Sequence, residues 1–493
     1  MLRRTILAFL LSLLTAVPLA SAQAQRPSVL LISVDDLNDW IGPLGGHPQV
    51  KTPNLDRLAA RGVTFANAHC QSPLCNPSRT SFLTGLRPST TGVYALDPWF
   101  RTDARLKDLV TLPQHFEANG YVTMATGKVF HDGMPSKGER RDGVEFTRWG
   151  FAGTHGPFPK EKLVHTPAAS RLLDWGAFPQ RDEELDDYRV ADWAIGQLKS
   201  PPGDKPFLLC VGFRRPHVPC LVPQKWFDLY PDDGTLDMPP VKRDDRADVP
   251  KTSEHLHWRI PEPRLAWLEE HDQWRNLVRS YLASVSFMDA QVGRVLDALD
   301  ASGRADETIV VLWSDHGFHL GEKGITGKLS LWERSTRVPL IIAGPGATRG
   351  AKVTTPAELI DVYPTLAELC GLPPRAGLDG HSLVPQLKDA SAPRPFPAIT
   401  TQGQNNHAVR TDRFRYIRYF DGGEELYDHA TDANEWTNLA ADPNHAATKR
   451  QHAAFLPKVN EPPIAASVTR LSEMRDGKRY WEGKPVDPQE TMP

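Results

Sequence analysis

Val29-Leu30-Leu31-Ile32-Ser33-Val34-Asp35-Asp36 sets the architecture of this chain. A continuous apolar run of this kind reads as a strand buried on both faces of a parallel sheet. Two acids stand where the strand stops. In an open parallel sheet, ligands sit in the crevice beyond the carboxyl ends of the strands. Asp35 and Asp36 therefore mark both the fold and a candidate site.

Outward from this run, strands and helices alternate. Thr52 offers an N-cap, Pro53 the first helical position, and Leu55, Leu58 and Ala59 one apolar face, with Gly62 expected to end the helix. A second helix is expected from Thr111 to Asn119, stopped by Gly120, before a strand from Tyr121 to Thr126. Phe207 to Phe213 is another apolar strand. Trp274, Leu277, Val278, Tyr281, Leu282, Val285, Val292, Val295, Leu296 and Leu299 keep helical spacing up to Gly303. The strand Thr308 to Trp313 follows, and Val338 to Ala343 repeats the pattern before Gly344-Pro345-Gly346. This alternation predicts an α/β fold, a parallel sheet with helices on both faces. Past the proline-rich stretch 393–397 the rhythm changes. His407 to Arg410, Arg415 to Phe420 and Glu425 to His429 are short strand-like pieces, expected to form a small antiparallel sheet capping the main domain. Pro219 to Arg264, rich in Pro, Asp and Lys, reads as a long surface insertion.

The chain has 493 residues, long for one domain, and its formal charge of −3 excludes bulk attraction to nucleic acid. Any affinity for an anion must come from cations gathered in a site. Arg3 and Arg4, an apolar run from Ile6 to Leu19 and the small-residue exit Ala20-Ser21-Ala22 describe a secretory signal peptide over residues 1–22, so export to the periplasm or medium is expected. The run is shorter than the roughly 20 apolar residues of a membrane span, and no integral membrane segment is expected. Five cysteines are too few for a disulfide scaffold, and an odd count leaves at least one unpaired. Cys210 and Cys220 are close enough in sequence to bridge, although spacing alone leaves the pairing open. Cys75 is the candidate odd thiol.

The chemistry gathers at strand ends. Asp315-His316 follows the strand ending at Trp313, so a second acidic cluster falls on the same sheet edge as Asp35-Asp36. A lone Asp-Asp pair commonly makes a turn or cap, but two matched clusters outweigh that reading. Carboxylates converging there repel one another unless a cation neutralises them, and hard oxygen ligands suit calcium or magnesium. Gly127-Lys128-Val129-Phe130-His131 follows one strand and Arg215-Pro216-His217-Val218-Pro219 another, while Lys328 lies in the loop after Asp315-His316.

Cys75-Asn76-Pro77-Ser78-Arg79, leading into Phe82-Leu83-Thr84-Gly85, resembles the signature of the type I, formylglycine-dependent sulfatase family. Asp35-Asp36, Thr52-Pro53-Asn54-Leu55-Asp56, Lys128 with His131, and Asp315-His316-Gly317 stand in that family's order. The resemblance runs from Pro27 to about Leu387. The Asp-His-Gly form, with the Lys128 and His217 motifs, is similar to its iduronate-2-sulfatase-like branch.

The resemblance implies an alkaline-phosphatase-like sandwich over residues 26–390, with a central mostly parallel sheet flanked by helices. A smaller C-terminal α+β subdomain with an antiparallel sheet is expected over 398–493. It implies that a formylglycine-generating maturation enzyme oxidises Cys75 to formylglycine. The hydrated aldehyde is a gem-diol: one hydroxyl attacks sulfur, and the other later loses its proton so that sulfate leaves. By the same resemblance Asp35, Asp36, Asp315 and His316 bind Ca2+ with an oxygen of modified Cys75. Arg79 and Lys128 hold the gem-diol, and His131 takes its second proton. His217 and Lys328 contact the sulfate and bridging oxygen, one of them protonating the departing alcohol. The expected partner is a sulfated sugar or glycan, such as a uronic acid 2-sulfate. A phosphonate or phosphate ester hydrolase of the same superfamily, and a non-catalytic glycan-binding protein, stand as alternatives.

Overall fold

The computed structural model describes residues 26–131, 142–201, 203–257 and 259–487. The expected leader at 1–22 lies outside them. No helix of the described residues is long and apolar enough to cross a membrane.

Eight strands form the central sheet: β1 (Ser28–Val34), β2 (Gly62–Phe65), β3 (Val122–Gly127), β4 (Arg148–Trp149), β5 (Phe207–Phe213), β6 (Thr308–Ser314), β7 (Leu340–Ala343) and β8 (Ala351–Val353). Their order is β8-β2-β7-β6-β1-β5-β3-β4. β1 pairs in parallel with β5 and β6, and β5 with β3. β7 runs antiparallel to both its neighbours, the one strand that opposes them in a sheet expected to be mostly parallel. Its apolar residues are buried in any direction, so composition carried no sign of the reversal.

Strand side chains alternate between two cores. Leu30, Ile32 and Val34 join Leu209, Val211 and Leu312 on one face, while Val29 and Leu31 join Leu208, Cys210 and Val311 on the other. The first face is covered by α1 (Pro53–Ala60) and by the helices Asp186–Lys199 and Trp274–Ala301. The second carries α2 (Cys75–Thr84), Leu112–Ala118 and Val362–Leu369. The architecture is thus an α/β sandwich of alkaline-phosphatase-like type. Beyond it, Ala398–Thr401, His407–Arg410, Phe414–Arg418 and Glu424–Asp428 form an antiparallel sheet, and Ser472–Arg475, Lys478–Trp481 and Lys484–Pro485 a second, smaller one.

Local departures have physical reasons. Thr52 stands at the N-cap of α1, but its hydroxyl accepts from Gly42 N at 2.8 Å instead of capping the helix. Gly62 does not end α1; Arg61 does, and Gly62 opens β2. A Cβ there would lie 2.2 Å from Ile342 O on paired β7, so glycine is required by close strand approach. Within the expected surface insertion, Cys220–Val222 is a buried strand pairing with Trp175–Ala177, and Leu256 and Ile260 are buried. Cys210 and Cys220 are unpaired, and all five cysteines are free and buried.

Gly62→Ala should lower unfolding stability by about 2 kcal/mol, because the methyl pushes β2 from β7. Urea unfolding of the two proteins measures it, and an unchanged midpoint would contradict the assignment.

Candidate active site

Four adjacent strands deliver their charged residues to one edge. β1 ends into Asp35-Asp36, β6 into Asp315-His316, β3 into Lys128 and β5 into the turn bearing His217. Helix α2 points its first residue, Cys75, at the same place. All ten residues of α2 are buried, so its polar side chains need partners. Asn76 Nδ2 donates to Ala95 O at 2.9 Å, Ser78 Oγ to Asp315 O at 2.5 Å and Thr84 Oγ1 to Thr80 O at 2.7 Å. The Phe82 ring stacks on Trp313 of β6, centroids 3.8 Å apart, which fixes the helix on the sheet. Cys75 then sits at a helix N-terminus, where exposed amides favour negative charge.

Arg79, fully buried one turn further on, ties the edge together. Its Nε donates to Asp315 Oδ2 at 2.8 Å, one terminal nitrogen to Asp35 Oδ1 at 3.3 Å, and the other to Lys128 O at 2.5 Å and Val129 O at 3.2 Å. Lys128 Nζ pairs with Asp35 Oδ2 and Lys328 Nζ with Asp36 Oδ1 at 2.6 Å. Around Cys75 Sγ stand His316 Nε2 at 3.3 Å, Lys328 Nζ at 3.3 Å, Lys128 Nζ at 3.7 Å and Asp35 Oδ1 at 3.7 Å. Burial opposes ionisation of the thiol, but Lys128 and Lys328 pull its pKa below the usual value.

The acids differ in their surroundings. Burial alone would raise Asp35, yet Lys128, His217, Arg79 and Lys328 hold it well below the usual carboxylate range. For Asp36, burial dominates; Lys328 and His316 offset it only in part, Asp35 and Cys75 add to it, and its pKa rises to about 7. Asp36 Oδ2 is buried without a hydrogen-bond partner among the described residues, with His217 Nε2 3.8 Å away. His316 donates from Nδ1 to Gly317 O at 3.0 Å, which leaves Nε2 facing Cys75 and, at 3.4 Å, Asp36 Oδ1. Burial would lower its pKa, but Asp315, aided by Cys75 and Asp36, lifts it to about 9. Protons on Asp36 and His316 answer a demand for positive charge that a cation would also meet.

Asp35, Asp36, Cys75 and His316 offer ligand atoms within 4.8 Å of one another, so the donor set fits a metal ion. Asp315 stands beside that group with both oxygens engaged: Oδ1 accepts from Asp36 N at 3.2 Å and His316 N at 3.0 Å, and Oδ2 from Arg79. Its Oδ1 thereby positions the backbone of Asp36 and His316.

Lys128, His131, His217 and Lys328 line one cavity of about 280 Å³ with Cys75. His217 Nδ1 donates to Val218 O at 2.6 Å, aiming Nε2 at Asp36. Burial pushes its pKa well below the usual value, with Lys328, Lys128 and His155 adding to the shift and Asp35 opposing it. The cavity has further walls that sequence reasoning missed: His155, Glu262 and Arg470. None follows a central strand, so no strand-end rule could have found them.

A buried thiol among cations and convergent acids, on an alkaline-phosphatase-like sheet edge, defines a hydrolase of anionic esters. The sulfatase family profile matches residues 27–372, and the profile of the N-sulphoglucosamine sulphohydrolase C-terminal region matches residues 321–461. A sulfatase from Formosa agariphila is 43% identical over 452 residues, 89% of this chain and 88% of that one. The iduronate 2-sulfatase of Homo sapiens is 35% identical over 72% of this chain and 71% of its own. Among solved structures, a 2-O GAG sulfatase superposes with a TM-score of 0.69 at 25% identity, covering 88% of this chain and 91% of that one. The chain belongs to the sulfatase family and is a sulfuric ester hydrolase.

Gly212 on β5 couples sheet to site. Its carbonyl accepts from Lys128 N at 2.9 Å, and a Cβ on it would meet Lys128 O at 2.1 Å. Gly212→Ala should displace Lys128, along with the carbonyl that Arg79 grips, and lower kcat/KM by about 100-fold. Kinetics beside a melting curve would check this; activity within twofold of wild type would contradict the coupling.

Proposed function

We propose that this protein removes sulfate from a sulfated carbohydrate, a uronic acid 2-sulfate, using Cys75 matured to formylglycine and a bound calcium ion. The observation that carries this reading is the place of Cys75 Sγ, at a helix N-terminus and within 3.7 Å of Lys128, Lys328, His316 and Asp35. A poor electrophile wrapped in negative oxygens needs this combination of nucleophile and neutralising charge. Kinship with iduronate 2-sulfatase, and the Asp315-His316-Gly317 form, favour a uronic acid over a small aryl ester.

Asp35, Asp36, His316 and an oxygen in place of Cys75 Sγ would hold calcium, with Asp315 completing or orienting the set. Replacing sulfur by oxygen makes the donors harder, which suits that ion. When bound, it would supply fixed positive charge beside the nucleophile. Formylglycine at position 75 supplies, as its hydrate, a hydroxyl nucleophile and a second hydroxyl whose deprotonation releases sulfate.

The chain's own residues do the rest. Arg79, whose donors go to Asp35, Asp315 and two carbonyls, holds the framework around residue 75. Lys128 Nζ, between Asp35 and residue 75, keeps the nucleophile oriented and charge-stabilised. His131, on the cavity wall, takes a proton from the second hydroxyl. Lys328 Nζ lies 3.3 Å from Cys75 Sγ and neutralises sulfate oxygens. His217 and Lys328 face the bridging oxygen, and one of them protonates the departing alcohol. Maturation requires a formylglycine-generating enzyme, and the leader at 1–22 directs export.

In protein from its native host, the Cys75 peptide should weigh about 18 Da less than its unmodified form, because thiol becomes aldehyde. Intact cysteine there overturns the mechanism, as does full activity in Cys75→Ala. Faster turnover of an aryl phosphonate than of an aryl sulfate overturns the substrate class. An aldehyde-bearing protein inert toward a broad glycan sulfate panel favours a binding protein instead.

Stripping with a chelator should abolish turnover and lower Tm by several degrees, since Asp35 and Asp36 lose a common counter-charge. Added calcium should restore both. An unchanged melting curve would contradict a resident ion.

A further inference from the structure

The reaction uses the floor of the cavity; its rim raises a separate question. Part of that rim comes from residues 469–486, beyond both family matches, which end at 372 and 461. The segment is built into the site. Leu96 N donates to Thr469 O at 3.1 Å, and Thr469 Oγ1 to Asp97 at 2.9 Å. Trp481 packs in one cluster with Leu74, Ile260 and Leu329, two of which are the chain neighbours of Cys75 and Lys328. Arg470, whose N–H donates to Glu482 Oε1 at 3.0 Å, lines the cavity that holds Cys75.

Two features distinguish Arg470. Its φ is +62°, a region that a long side chain rarely adopts, so its placement is held against local preference. Lys128 and Lys328 are paired with Asp35 and Asp36. The Arg470 guanidinium, by contrast, has no hydrogen-bond or ion-pair partner among the described residues. A planar fork left unpaired in a cavity suits a carboxylate bound through two parallel hydrogen bonds. Glu262, on the same wall, has Oε2 buried without a partner and suits a sugar hydroxyl, not a second anion.

We propose that the C-terminal hairpin forms part of the substrate site and that Arg470 determines specificity by holding the carboxylate of the sugar. This rests on the sulfate-ester reading of the same cavity. The test compares an aryl 2-sulfo-hexuronide with its carboxyl-reduced counterpart, in wild type, Arg470→Gln and Arg470→Lys, with melting curves to confirm folding. Arg470→Gln should lose about 10- to 100-fold in kcat/KM on the uronide, mainly through KM, and less than about threefold on the reduced sugar. Arg470→Lys should recover part of the loss. Equal losses on both substrates, no loss on either, or a wild-type preference for the reduced sugar overturns the assignment and leaves a sulfatase.

A binding titration separates the two readings. Cys75→Ala protein should bind the uronide about tenfold more tightly with Arg470 than with Gln at that position. If aldehyde-bearing protein turns over no sulfate ester, the sulfatase mechanism fails, and this titration still decides Arg470. Affinity indifferent to the substitution, or no binding, overturns it.

Discussion

Three buried carboxylates at one sheet edge are the constraint on which the rest of this molecule depends. Asp35, Asp36 and Asp315 have no exposed surface, and charges taken out of water are tolerated only when paired and hydrogen-bonded. Arg79 bridges Asp35 and Asp315, Lys128 takes the other oxygen of Asp35, and Lys328 takes Oδ1 of Asp36. These bonds fix the first turn of α2, the strand-to-loop turn after β3 and the loop after Asp315-His316. Removing one cation would strand a buried anion, so the site holds the sheet edge together as much as the edge holds the site.

The same pairing leaves the cations poised for chemistry. Lys128 and Lys328 are held by acids on one side and face Cys75 on the other, both buried from bulk solvent. A low-dielectric setting strengthens every interaction between those ammonium groups and an oxyanion arriving between them. Because the groups are already oriented, little reorganisation would accompany the proposed reaction. Asp36 shows the strain in this arrangement: its raised pKa and orphaned Oδ2 mark the spot where positive charge is still short.

What could be read from the sequence follows from this physics. Strands buried on both faces are continuous apolar runs, so β1, β5 and β6 were visible, and with them the acids and His217 that follow. Direction is invisible to composition, which is why β7 read like its parallel neighbours. Gly62 has two plausible uses, and only the 2.2 Å approach of Ile342 O shows that sheet packing requires it. Cys220–Val222 is buried but three residues long, too short for any periodicity to rise above its Pro- and Asp-rich setting. His155, Glu262 and Arg470 come from segments with no regular rhythm, and only the folded chain places them beside Cys75.

Inner site and rim therefore answer different selective problems. A sulfate monoester and a phosphonate monoester are both tetrahedral monoanions, so a cage of lysines and histidines around Cys75 discriminates weakly between them. Asp35, Asp36 and Asp315 balance Arg79, Lys128 and Lys328 in formal charge, and a divalent ion, as proposed, would tip the cage toward any such monoanion. Discrimination by chemical identity must then come from groups that meet the rest of the ester, where a misplaced carboxylate or hydroxyl leaves a buried polar atom unpaired. Glu262 and Arg470 are such groups, contributed by segments outside the central sheet. An edge locked by buried ion pairs can keep one chemistry while its rim changes substrate.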